Sequence, residues 1–239
     1  MTERGKESLT QSTDKLQIGP SSYTWCNGKL IIAINEISTP HFDRVLGTVT
    51  ITPKHVTDIE VNLTEDGSHV WRPFAPNAEI DVEIDKKGWN WKGHGYFDAN
   101  FGTRALEQDF SYWTWSRLPC KDGSIAFYDA DRRHDNPLSV SLKFRSDGSV
   151  EQITAPPQTR LSRSLWAVKR KTRSDIGYIP TQVKHMLDAP FYSRSAIKTK
   201  IDGEEITGIH EALDLNRFSS PFLKPMLVMR VPRTTKWRP

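Results

Sequence analysis

A chain of 239 residues with 36% hydrophobic and 26% charged residues is long enough to bury a real core and has the balance of a soluble globular protein. Its longest aliphatic run, Leu30-Ile31-Ile32-Ala33-Ile34, is too short to cross a bilayer as a helix, and the polar opening Met1-Thr2-Glu3-Arg4-Gly5 leads into no apolar signal segment. The formal net charge is +4 with the basic residues spread along the chain, one modest cluster at Lys169-Arg170-Lys171-x-Arg173 excepted, so nucleic acid is not an expected partner.

Residues 1–15 are polar and are expected to be weakly anchored. Asn27-Gly28, Asp66-Gly67, Asp122-Gly123, Asp147-Gly148 and Asp202-Gly203 are favoured two-residue hairpin turns, because both residue types tolerate positive φ. Strands are predicted between them. Val45–Thr52 is one. Ile80, Val82 and Ile84, alternating with Glu79, Asp81, Glu83 and Asp85, mark a second with one wet face. Trp89–Phe97 and Ser124–Asp129 follow. Leu138, Val140, Leu142 and Phe144 then alternate with Ser139, Ser141, Lys143 and Arg145. Trp166–Arg170 is a further candidate, and only Thr181–Leu187 looks briefly helical. Ala155-Pro156-Pro157 breaks the pattern as a linker or a long turn. The class is mostly β, antiparallel, as a barrel or sandwich. The natural boundary falls near Arg117-Leu118-Pro119, giving units 1–117 and 118–239.

Cys26 and Cys120 are the only cysteines and form no CxxC pair, which argues against a zinc or disulfide framework and fits a reducing compartment. The seven histidines include no HExxH, and neither GxGxxG nor GxxxxGK[ST] occurs, so nothing points to a metal or a nucleotide. The informative stretch is Gly93-His94-Gly95-Tyr96-Phe97-Asp98-Ala99-Asn100-Phe101-Gly102. Tyr96 and Asp98 share one strand face if the segment is extended. Aspartate is poor strand material. Asp98 is therefore either an Asp-x-Asn turn bonding its own backbone, or a desolvated acid among Tyr96, Phe97 and Phe101. His69 and Trp71 form a second pair with the same spacing. Composition favours an edge histidine beside a core tryptophan, and the functional alternative is an imidazole that serves Asp98. Trp113 and Trp115 also share a face, and aromatic rings stabilise cations through their quadrupoles.

These residues carry a resemblance. Trp71-Arg72-Pro73-Phe74-Ala75-Pro76, Gly95-Tyr96-Phe97-Asp98-x-Asn100-x-Gly102 with Leu106-Glu107, and Trp113-x-Trp115-Ser116-Arg117 resemble the carotenoid 1,2-hydratases, or hydroxyneurosporene synthases, of photosynthetic bacteria. So do Asp188-Ala189-Pro190-Phe191-Tyr192-Ser193-Arg194-Ser195 and His210-Glu211-x-Leu213-Asp214-Leu215-x-Arg217-Phe218, so the match covers nearly the whole chain. Family members have a further segment ahead of Met-Thr-Glu-Arg-Gly. The chain is thus expected to be N-terminally truncated and its first β unit incomplete.

The resemblance implies two lipocalin-like β units and cofactor-free addition of water across the terminal 1,2 double bond of an acyclic carotenoid such as neurosporene or lycopene. It carries functional roles to His69, Trp71, Tyr96 and Asp98. In that scheme Asp98 protonates the alkene, Trp71 and Tyr96 stabilise the cation, and His69 positions the water and accepts its proton. Trp113, Trp115 and Phe97 would line the substrate, with Asp214 the next candidate acid. A cytoplasmic protein touching the membrane peripherally is expected. The rival readings are a lipocalin-like carrier of an apolar ligand and a cofactor-free cyclase of the Diels–Alderase type.

Overall fold

The structure is a computed structural model, and it describes residues 2–38, 42–223 and 231–232. Its contacts gather the chain into two units. Among the described residues, the first comprises 2–38, 42–56, 75–97 and 231–232, and the second 57–74 and 98–223.

In the first unit, β1 (Thr2–Glu3), β2 (Leu9–Gln11), β3 (Lys15–Ile18), β4 (Ser21–Cys26), β5 (Lys29–Ile37) and β6 (Arg44–Pro53) follow in order. From β2 to β6 each pairs antiparallel with the next. The β4–β5 hairpin closes on Asn27-Gly28, both at positive φ, as a turn matching the strand twist requires. β7 (Val61–Asn62) lies in the second unit. The 16-residue β8 (His69–Ile84) begins there and ends in the first, while β9 (Trp91–Gly102) runs from the first into the second. The far half of β8 pairs with β6. Leu30, Ile51 and Ala78 form a small core with Ile32, Val49, Ile80 and Phe97 against it.

The second unit continues with helix α1 (Leu106–Asp109), β10 (Phe110–Cys120), β11 (Gly123–Arg132), β12 (Leu138–Arg145), β13 (Val150–Gln152), β14 (Gln158–Leu161), β15 (Arg170–Arg173), β16 (Thr181–Asp188), β17 (Tyr192–Ile201), β18 (Glu204–Asp214) and helix α2 (Leu215–Phe218). A final strand, β19 (Val231–Pro232), pairs with β1. The large sheet runs in the order β13-β12-β11-β10-β18-β17-β16. Its two faces differ in chemistry. Leu118, Ile125, Phe127, Ile201 and Ile206 make an apolar core on one face, where the hairpin β14–β15 adds Ser116–Thr172, Arg170–Ser195 and Arg173–Asp129 bonds. By strand alternation, the opposite face carries Trp113, Trp115, Tyr128, Glu211 and Arg194.

The mostly β, antiparallel class stands, and the strand orders make both large sheets open rather than closed barrels. Three expectations change. A boundary at 117/118 would cut β10 between the consecutive ladder pairs Arg117↔Ala126 and Leu118↔Ile125, and the units divide by contact elsewhere. Thr181–Leu187 is not helical but the exposed edge strand β16, whose partner β17 overrides a weak local period. Trp166–Arg170 is mostly loop, and the strand starts only at Arg170. At the β10–β11 turn Gly123 has φ +122, and an added Cβ would sink into the Phe144 carbonyl. Gly123→Ala is therefore expected to destabilise by about 2 kcal/mol or more, read as a lower urea midpoint. An unchanged midpoint would refute that local geometry.

Candidate active site

The Asp66-Gly67 turn builds one side of the site. Gly67 N–H bonds the Thr64 carbonyl at 3.1 Å, and Ser68 N–H bonds Asp66 Oδ1 at 3.0 Å. The chain then enters β8 with His69, Val70 and Trp71 all buried. His69 is 3% exposed, and its Nε2 lies 2.8 Å from Asp109 Oδ2. Arg104 grips the same carboxylate twice, at 2.6 and 2.8 Å, and reaches Asp66 Oδ2 at 2.9 Å. The Arg104 guanidinium, ahead of His69, holds the Asp109 carboxyl below the usual carboxylate range despite its burial. Phe110 packs edge-on against the imidazole at 5.3 Å. A Cβ on Gly102 would collide with His69 Nδ1.

Two residues on, Trp71 is fully buried, and its indole N–H donates to Asp98 Oδ2 at 2.8 Å. Trp71 packs on Tyr128 at 5.5 Å between centroids, and Tyr128 on Trp113 at 5.7 Å, so three rings form one wall. Burial, with the Asp98 and Glu211 charges adding to it, pushes the Tyr128 phenol up. In the large sheet Trp115 is flanked by Tyr128 on β11 and Glu211 on β18, and Glu211 by Arg194 on β17. Arg194 Nε sits 3.4 Å from Glu211 Oε1. Desolvation raises the Glu211 pKa, and the Asp98 charge raises it further, against the opposing pull of Tyr192 and Arg194.

The sequence-named residues therefore divide. Trp71, Asp98, Trp113 and Trp115 belong to this acid and aromatic cluster. His69 is bonded to Asp109, not to Asp98, so it braces β8 two residues from Trp71. Phe97 alternates away from Asp98 and packs on the core of the first unit. Tyr96 is half-buried on β9 at the spacing that shares Asp98's strand face. Asp214 is the N-cap of α2, accepting from Arg217 N–H at 3.0 Å, and by alternation it leaves β18 on the face opposite Glu211. Sequence reasoning missed Tyr128, Glu211, Tyr192 and the Asp109–Arg104 brace. The available signal was Glu211 in the same strand phase as Ile209 and Leu213, a carboxylate where an apolar residue would be expected.

Two larger grooves, of about 620 and 690 Å³, lie in the first unit. Their linings include Asp81, Glu83 and Lys92 in one and Lys29, Glu79 and Asp81 in the other. Such linings suit water, whereas the Trp71–Tyr128–Trp113 wall offers ring faces beside two carboxylates. That arrangement sets two proton-carrying groups against aromatic rings. Among the described residues no cluster of histidine, cysteine or carboxylate is spaced to hold a metal ion.

The whole chain, residues 1–239, matches the family model described as carotenoid hydratase CrtC. It is 52% identical over 238 residues to the acyclic carotenoid 1,2-hydratase of Cereibacter sphaeroides, covering 99% of this chain and 85% of that protein. With the protein of the same description from Rhodobacter capsulatus it shares 50% identity over 240 residues, covering 100% and 85%. Among solved structures, an AttH-type protein from Nitrosomonas europaea superposes with a TM-score of 0.55 at 12% identity, covering 87% of this chain and 72% of that one. That last likeness concerns the fold alone.

Proposed function

The chain belongs to the carotenoid hydratase family CrtC, and we propose that it hydrates the terminal 1,2 double bond of acyclic carotenoids such as neurosporene and lycopene through a carboxylate pair, Asp98 as acid and Glu211 as base. The observation that carries this reading is the Trp71 indole N–H on Asp98, within a ring wall that also faces Glu211. A terminal trisubstituted alkene is a very weak base, so its acid must be strong and dry. The indole hydrogen bond favours the carboxylate left behind when the proton departs, which strengthens the acid. Proton transfer from Asp98 to C2 consumes the π bond and leaves a tertiary cation at C1. Trp71, Tyr128 and Trp113 offer it their ring faces. Water adds at C1, and its surplus proton passes to Glu211, giving a tertiary alcohol. The two carboxylates share one proton, and the reactive form is the minority arrangement with that proton on Asp98 and Glu211 ionised, because the indole bond favours ionised Asp98 while the Glu211 pKa is raised. His69 acts here through the brace to Asp109 that fixes Trp71.

Lycopene incubated with the protein should gain the mass of one water per hydrated end. Recovery of unaltered lycopene bound to the protein would instead identify a carrier. The pair also predicts a pH dependence. Glu211 must be ionised to accept the proton, and its pKa is raised. Activity should therefore fall with decreasing pH at a midpoint above the ordinary glutamate value of about 4.3. Glu211→Gln should remove that limb and lower turnover about 100-fold. A limb that survives unchanged in Glu211→Gln would assign it to another group.

The substrate dissolves in bilayers, and this reading places the protein in the cytoplasm, at the surface of the membrane holding it, with no nucleic-acid partner. Free Cys26 and Cys120 support the compartment. Among the described residues no helix is long and apolar enough to cross a membrane. Resistance to alkaline carbonate extraction would contradict peripheral attachment.

A further inference from the structure

The segment from Gln158 to Ser174 holds six arginines and lysines and no acidic residue. Its two strands, β14 and β15, are joined by a loop whose tip shows the reverse of normal burial. Leu165 is 88% exposed and Trp166 51% exposed. The tip is nevertheless held in place. Ala167 N–H bonds the Ser164 carbonyl at 2.9 Å, Val168 N–H bonds Ser164 Oγ at 3.2 Å, and Ala167 takes φ +57. Leu165 N–H donates to Asp188 Oδ2, and Arg217 Nη1 donates to the Trp166 carbonyl at 2.8 Å. Four backbone bonds thus fix a turn whose two large apolar side chains stay in water. Behind the tip a pocket of about 310 Å³ is lined by Arg160, Leu161, Arg163, Lys169, Arg170 and Lys171. Among the described residues, Arg160, Arg163, Lys169 and Lys171 enter no ion pair.

We infer that this hairpin docks on an anionic phospholipid surface, with Leu165 and Trp166 entering the headgroup–acyl boundary and the cationic pocket receiving lipid phosphates. This deepens, and rests on, the peripheral-membrane reading above. The parts have complementary roles. An indole and a leucine gain by leaving water at an interface. Each nearby lysine or arginine adds attraction to an anionic leaflet. A preformed turn loses little conformational freedom on insertion. The contacts that fix the tip also tie it to the ends of two large-sheet strands. Asp188 closes β16, and Arg217 follows Asp214, the last residue of β18. Tyr192 and Leu213 pair at that same end of the sheet, so the hairpin anchors the edge of the sheet that carries the candidate site.

The test uses the full chain and vesicles of phosphatidylcholine alone or with phosphatidylglycerol, read by flotation at matched protein concentration. Binding should require phosphatidylglycerol and weaken as salt is raised. Arg163→Gln with Lys169→Gln should reduce partitioning about 30-fold, from about 1 kcal/mol per removed charge. Leu165→Ser with Trp166→Ser should reduce it at least 10-fold. All variants should keep the wild-type thermal midpoint and the wild-type rate on detergent-solubilised lycopene, while losing turnover on lycopene held in vesicles. Equal binding to both vesicle types, either double variant binding like wild type, or release by millimolar inorganic phosphate beyond the effect of ionic strength would overturn the proposal. Absence of turnover in detergent would count against the hydration mechanism and leave the vesicle result standing by itself.

Discussion

Asp98→Asn is expected to lower hydration about 100- to 10,000-fold, the range that removal of a general acid produces, while carotenoid binding and the thermal midpoint stay near wild type. The amide oxygen can still accept the Trp71 indole N–H that now ends on Asp98 Oδ2, so the local geometry has a reason to persist. What disappears is the transferable proton. An apolar polyene draws its affinity from buried area, not from one carboxyl, so the loss should sit in kcat rather than in binding. Trp71→Phe separates the two parts of the arrangement. It keeps a ring against Tyr128 and removes the N–H donor, so it should cost about 10- to 100-fold, the scale of one hydrogen bond to a charged group. Turnover of Asp98→Asn within a factor of ten of wild type would eliminate Asp98 as the proton donor. Asp214 is not its natural substitute, because capping already occupies its carboxylate. Asp214→Ala should lower stability by about 1 kcal/mol.

Asp109→Ala is expected to destabilise the fold by about 2–3 kcal/mol, a larger loss than Asp98→Asn causes. It strands a buried His69 ring nitrogen and an Arg104 that now makes a two-bond contact. Breaking a buried pair by deleting one partner costs about 3–5 kcal/mol. That range is reduced here because the Arg104 side chain is 41% exposed. The pH dependence has a definite sign. The Asp109 pKa is lowered in the folded state, so its contribution is present above the unfolded aspartate value of about 3.9. It is lost as pH falls from there through the folded value. The gap in urea midpoint between wild type and variant should hold from pH 7 to about pH 4 and begin to narrow between about pH 4 and pH 3. A constant gap across that range would show that ionised Asp109 is not the source. Because β8 carries both His69 and Trp71, the variant should also lose hydration activity, and glycerol or another stabilising cosolute should restore part of it.

The sequence by itself determined the class of fold and named part of the candidate site. Asn27-Gly28 and Asp202-Gly203 each take positive φ at both positions because few other residue pairs can, so these turns are local decisions. Alternation set strands such as Leu138–Arg145 for the same reason, since burial on one face is written with a period of two. The long family motifs singled out Trp71 and Asp98 without any knowledge of where the chain goes. Tertiary structure alone decided the pairings. That Trp71 meets Asp98, 27 residues away, and that His69 instead meets Asp109, 40 residues away, depends on how β8, β9 and α1 are placed, which no local period encodes. It also decided the fate of Thr181–Leu187, where an available sheet edge outweighed a weak helical pattern, and of Phe97, which one step of alternation sends to a core. Glu211 entered the site through the register of β18 against β10 and β17. Register is a non-local quantity: shifting it by one residue would turn Glu211 to the other face of the sheet.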